Sequence, residues 1–120
     1  MLNEQPRQQL NYLIAHYTSR ICDDTRRCEA ILKDLCPEHK RELNLLIAAL
    51  KEKVPQELIK APAHIAPDFT IKLLAQRLHD HQGIAEHFAL WAVESWALAL
   101  NIIQQNKTDW KDEETGMEFI

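Results

Sequence analysis

The apolar positions of this chain recur at spacings of three and four, which is the period of an α-helix. Leu10, Leu13, Ile14 and Tyr17 define one apolar face and predict a first helix from about Pro6 to Ser19. Proline suits such a start, because the first helical N–H has no partner in any case. Asp23 or Asp24 is placed to cap a second helix, whose face is Cys28, Ile31, Leu32 and Leu35. Glu29 and Lys33 form an i,i+4 pair on its outside, and Pro37 ends it. A third helix is predicted over Glu38 to Lys53, with Leu43, Leu46, Ile47 and Leu50 in one stripe and Leu45, Ala48 and Ala49 in a second. Two stripes imply packing against several neighbours. Pro55 is expected to stop this helix, and Gln56–Lys60 to add a short helical turn or more.

Residues 61–67, Ala-Pro-Ala-His-Ile-Ala-Pro, hold two prolines and read as a connector. Asp68 is expected to cap a fifth helix carrying Ile71, Leu74 and Leu78 on its face, with Phe69 and Leu73 beside it. Gly83 suits the left-handed position that ends such a helix. A sixth helix is predicted from Ala85 to Gln105. Between Phe88 and Leu100 only Glu94 and Ser95 are not apolar, and His87, Glu94 and Asn101 form one narrow polar stripe. The expected fold is an all-α compact bundle of five or six helices, with a largely buried apolar helix near 85–105. Residues 1–105 form the single helical domain, and residues 106–120 an acidic, flexible tail ending in Phe119 and Ile120.

Composition supports this picture. The 120 residues are 46% hydrophobic and 27% charged, enough for a core and an ordinary surface. Only Gly83 and Gly116 are glycines, too few for the hairpins of a sheet protein. The formal net charge is −4; residues 1–60 hold 10 Lys+Arg against 9 Asp+Glu, and residues 61–120 hold 4 against 9. Neither half is basic, so nucleic acid is not the expected partner, Arg20, Arg26, Arg27, Lys40 and Arg41 being the nearest approach to a cationic face. The polar first residues and the absence of a long apolar run argue against a secretory leader or a membrane span. Three cysteines, an odd count, then imply reduced thiols and a cytoplasmic location.

Candidate chemistry is thin. Cys36 and His39 with Cys22 or His79, the cysteines belonging to a group of soft ligands that also holds Cys28, are the alternative reading: a zinc-binding sensor. The spacing is loose, only Cys36 and His39 form a tight pair, and Cys28 lies on an apolar face. His79, His81 and His87, with Asp80 and Glu86, cluster around the turn between helices five and six, but without the i,i+4 pair of a strong helical metal motif. No G-x-S-x-G elbow or phosphate-cradling glycine loop occurs, and Ser95 sits inside a helix. The chain is therefore expected not to be an enzyme and to need no cofactor.

Trp91 and Trp96 point elsewhere. They stand on well-separated faces of helix six, more aromatic surface than a domain this small readily covers, and tryptophan is enriched in protein interfaces. Trp91, Trp96 and Glu94, with Arg26 and Arg27, are the expected protein-binding residues, and the partner another protein or a second copy of this chain.

Two stretches, DDTRRCEAILKDLCPEHKRELNLLIAALKEKVPQEL (Asp23–Leu58) and LLAQRLHDHQGIAEHFALWAVESWALAL (Leu73–Leu100), resemble a small helical accessory module of bacterial multidomain proteins. The resemblance is strongest at Arg26-Arg27-Cys28-Glu29 and at Trp91 to Leu98. Such modules stand beside kinase, chaperone-ATPase or sensor-type domains. The resemblance implies an interaction or regulatory role and no catalytic residue.

Overall fold

The computed structural model describes residues 2–103. These form six α-helices: α1 Gln5–Tyr17, α2 Thr25–Leu35, α3 Lys40–Lys51, α4 Val54–Lys60, α5 Pro67–Gln82 and α6 Glu86–Ala99, with a 3-10 turn over Ser19–Asp23 between α1 and α2. No strand occurs among the described residues, so the chain is an all-α bundle as its periodicity predicts. The reading of residues 106–120 as a separate tail lies outside the described residues.

Helix α6 is the axle of the bundle. It packs on α1, α3, α4 and α5, and that surround explains how an apolar helix is covered on nearly all sides. Trp96 is fully buried, and its indole N–H donates to the Leu46 carbonyl at 3.1 Å. Leu10 and Leu13 of α1, Leu32 of α2, Leu46 and Leu50 of α3, Leu78 of α5 and Val93 of α6 complete the fully buried centre. Burying an aromatic and several leucines in this way contributes roughly 1.5–3 kcal/mol per side chain before entropy is counted.

The helix ends show which local signals prevailed. Asp24 caps α2 as expected, its carboxylate accepting the Arg27 N–H at 3.2 Å. Gly83 ends α5 in the left-handed conformation, φ +69°. Three expectations need correction. Asp68 is not a cap: α5 opens one residue earlier at Pro67, with Ala66 at the cap position and Asp68 inside the first turn. Pro55 does not end α3. That helix stops at Lys51, Lys53 turns the chain through φ +66°, and Pro55 lies in the first turn of α4.

The sixth helix, expected to reach Gln105, ends at Ala99. Asn101 adopts φ +61°, the Asn101 N–H donates to Leu98 and the Ile102 N–H reaches back to Ala97 at 2.9 Å. These are the paired bonds of a Schellman cap, with asparagine in the place that glycine usually takes. The cap turns Ile102 back onto the core.

Candidate functional site

The expected interface residues fall into three surroundings. Trp96 is in the core. Trp91 is 8% exposed, covered by α1 through Arg7, whose guanidinium lies 5.1 Å from the centre of its ring. Its indole N–H donates to Glu4 Oε2 at 3.4 Å. The expectation of a surplus tryptophan surface is therefore corrected: one indole is used by the core and the other by a seam between α1 and α6.

Arg7 organises that seam. Its Nε donates to Ser95 Oγ at 2.8 Å and one terminal nitrogen to the Trp91 carbonyl at 3.3 Å. The other pairs with Glu4 Oε1 at 3.3 Å, while Glu94 Oε1 lies 3.9 Å from the nitrogen that meets the Trp91 carbonyl. Ser95 in turn donates to the Trp91 carbonyl at 2.7 Å, the back-bond expected of a serine inside a helix. Burial holds the Glu94 carboxyl above its ordinary range, against the pull of Arg7. The polar groups around Arg7 thus have protein partners, whereas Asn11 Oδ1, farther along the same contact of α1 with α6, has none; around Arg7 the geometry is that of a fastening. Arg26 and Arg27 are exposed on α2, Arg27 resting 5.5 Å over the Tyr17 ring.

The thiol and imidazole groups do not assemble. Cys22, Cys28 and Cys36 are at most 1% exposed, and the Cys36 thiol donates to the Leu32 carbonyl. His39 Nε2 stands 3.2 Å from Gln5 Oε1. Among the described residues no group of three or more His, Cys, Asp or Glu side chains is placed to hold a metal ion, so Cys22, Cys36 and His39 do not form the expected ligand set. Burial pushes Cys22 up to about 11 and Cys28 up to about 12, away from the thiolate that metal binding needs. The histidine group is dispersed too: His79 bonds the Ile84 carbonyl at 2.8 Å, His81 meets Glu52 at 3.1 Å, and His87 packs on Phe88.

The open surface is elsewhere. Ile59 at the end of α4 and Phe69 and Leu73 on α5 are 53%, 56% and 56% exposed, the only large apolar side chains among the described residues so exposed besides Tyr12. They surround the proline-rich connector. Two adjoining hollows meet there, of about 460 and 380 Å³. The first is lined by Leu58, Ile59, Ile65, Pro67, Leu100 and Ile102. The second is lined by Ile65, Phe69, Leu73 and Leu74, with Glu57 and Arg77 at its polar edge. Ala61, Pro62, Ile65 and Thr70 line both hollows, so the two make one apolar groove.

Its walls are held from behind. Arg77 donates to the Glu52 carbonyl at 2.8 Å, tying α5 to the end of α3. Hydrogen bonds from Gln82 and from His81 hold the Glu52 carboxyl below its ordinary range. The prolines at 62 and 67 stiffen the connector between the walls.

Periodicity alone does not reveal the groove, because Phe69 and Leu73 read as lying beside the buried face of α5. At about 100° per residue, both lie roughly opposite Ile71 and Leu78. That angular count was the available signal.

No helix among the described residues is long and apolar enough to cross a membrane. Compared with protein-family models, with curated proteins and with solved structures, the chain matches none.

Proposed function

We propose that this chain is a non-catalytic protein-interaction module and that the groove between α4 and α5 is its binding face. One observation carries the reading: Ile59 at one hollow and Phe69 and Leu73 at the other stand about half exposed along one apolar groove, while both described tryptophans and most of the leucines are buried. Contiguous exposed apolar surface rimmed by polar groups marks contact sites, and apolar anchors set in a pocket dominate such contacts. The binding face moves accordingly from the tryptophans of α6 to α4 and α5. The resemblance to bacterial accessory modules supports the same role, that of a helper acting in the cytoplasm on another protein rather than on a small substrate.

A selection of displayed helical peptides against the full chain tests this, with the Phe69→Asp/Leu73→Asp double variant as the counter-target. Selected ligands are expected to bind the natural sequence with micromolar Kd and the variant at least tenfold more weakly. If both bind alike, or nothing is enriched, the groove is not a binding face. Both positions are exposed, so a circular-dichroism melt is expected to show the variant folded.

A further inference from the structure

Resting on that reading, we propose that the occupant of the groove in the free protein is the chain's own segment 104–120, which covers the binding face until a partner displaces it. Three observations lead there. The first is the place where the described chain leaves off. The cap at Asn101 turns the backbone out of α6, and Leu100 and Ile102 line the groove themselves. Ile103, the next residue, lines a neighbouring hollow with Asn11, Ile14 and Ala15 of α1, so the following residues start one residue past the groove, between it and that hollow.

The second is reach and content. Seventeen residues follow Ile103, enough to span roughly 55–60 Å when extended. The sixteen residues of α5 measure only about 24 Å along their axis. Within those seventeen are Trp110, Met117, Phe119 and Ile120, apolar side chains of the size the two hollows accept.

The third is charge. Segment 104–120 holds five acidic residues against two lysines. The stretch that builds the groove, residues 57–77, reverses the sign, with Lys60, Lys72 and Arg77 against Glu57 and Asp68. Lys60 and Lys72 are exposed on the two helices that form the walls. A short tether holds a segment at an effective concentration on the order of 1 mM. A contact with a Kd near 0.1 mM, too weak to matter between separate molecules, would thus keep the groove about nine-tenths covered. A competing ligand would then bind roughly tenfold more weakly than to a groove left bare.

A spin label placed in the segment tests this in the full chain. The three native thiols are buried, so a cysteine introduced by Glu118→Cys is the one that a nitroxide reagent reaches. Paramagnetic loss of amide signal is expected at Ile59, Ile65, Phe69 and Leu73 and not at Tyr12 on α1. The loss should persist on dilution and disappear when Leu73→Asp is added. No loss at the groove overturns the proposal. Loss that appears only when labelled protein is mixed with isotope-labelled, spin-free protein overturns it as well, and assigns the groove to a second copy. Either negative result leaves the peptide selection above unaffected. Conversely, selected peptides are expected to bind the Phe119→Ser/Ile120→Ser variant about tenfold more tightly than the natural chain; equal binding would show that the segment does not compete.

Discussion

The seam between α1 and α6 and the groove between α4 and α5 are both built around aromatic side chains with an arginine at hand, yet they end in opposite states. At the seam, Arg7 lies over the ring of Trp91 and spends its nitrogens on Ser95, Glu4 and the Trp91 carbonyl. The aromatic surface is closed and its polar neighbours are satisfied. At the groove, Arg77 turns away to the Glu52 carbonyl at the end of α3, and no described residue covers Phe69 and Leu73. The difference shows that whether an aromatic residue is buried or left exposed depends on what its neighbours cover and not on its own character. A buried tryptophan serves stability, while a half-exposed phenylalanine on the far side of a helix is available for something else.

Breaking the closed region should be costly. Trp96→Ala removes the largest core side chain and its hydrogen bond to the Leu46 carbonyl. A loss of about 3–5 kcal/mol is expected, read as a lower midpoint in urea unfolding. Arg7→Ala should come next, at about 1–3 kcal/mol, since it uncovers Trp91 and leaves partly buried acceptors without their donor. Arg7→Lys should recover little of this, because an ammonium lacks the planar fork that meets several acceptors at once. A lysine variant as stable as the natural chain would reduce the seam to simple charge pairing.

The seam also carries a pH signature. Burial raises the Glu94 carboxyl, so the folded state holds its proton more tightly than the unfolded chain does. Its contribution to stability falls as pH rises from the ordinary carboxylate range through the raised value. Glu42 behaves oppositely. The Asn3 N–H donates to its Oε2 at 2.7 Å and lowers its pKa, so it supports the fold above the ordinary carboxylate range and loses that support as pH falls through the lowered value. Glu94→Gln is therefore expected to remove a falling component from the stability–pH curve, and Glu42→Gln a rising one. Urea titrations at several pH values between 3 and 7 distinguish the two, and a parallel change in both variants would contradict this assignment.

What sequence could tell about the two regions was unequal. The helices are legible because Leu10, Leu13 and Ile14, then Leu43, Leu46, Ile47 and Leu50, then Ile71, Leu74 and Leu78 recur at the helical period, and because Asp24 and Gly83 are strong end signals. The end of α6 is harder to see because Asn101 fits a polar stripe with His87 and Glu94, whereas asparagine also tolerates the left-handed turn that closes a helix. The cover over Trp91 was not legible at all: Arg7 lies 84 residues away in sequence, and no local pattern joins them. The groove was legible in principle from the angular positions of Phe69 and Leu73. What no periodicity supplies is the knowledge that α1 closes one side of α6 while no described element covers that side of α5.

The smallest effect gives the sharpest test of the comparison. Leu73→Asp replaces a side chain that is 56% exposed, so no core contact is lost and surface replacements of this kind usually change stability by less than about 0.5 kcal/mol. If segment 104–120 docks on the groove, a second contribution is added. A segment at about 1 mM effective concentration and 0.1–1 mM Kd stabilises the folded state by roughly 0.4–1.4 kcal/mol. Leu73→Asp and Phe119→Ser should each remove a share of this, and the two together should cost less than their sum. A double-mutant cycle in urea measures that coupling. Strict additivity would leave the groove as bare as its described neighbours make it, open from the outset to a partner in trans. A coupled pair would mean that the open region is closed too, by a weak contact within the chain that a partner can displace, as the fastening at Arg7 cannot be.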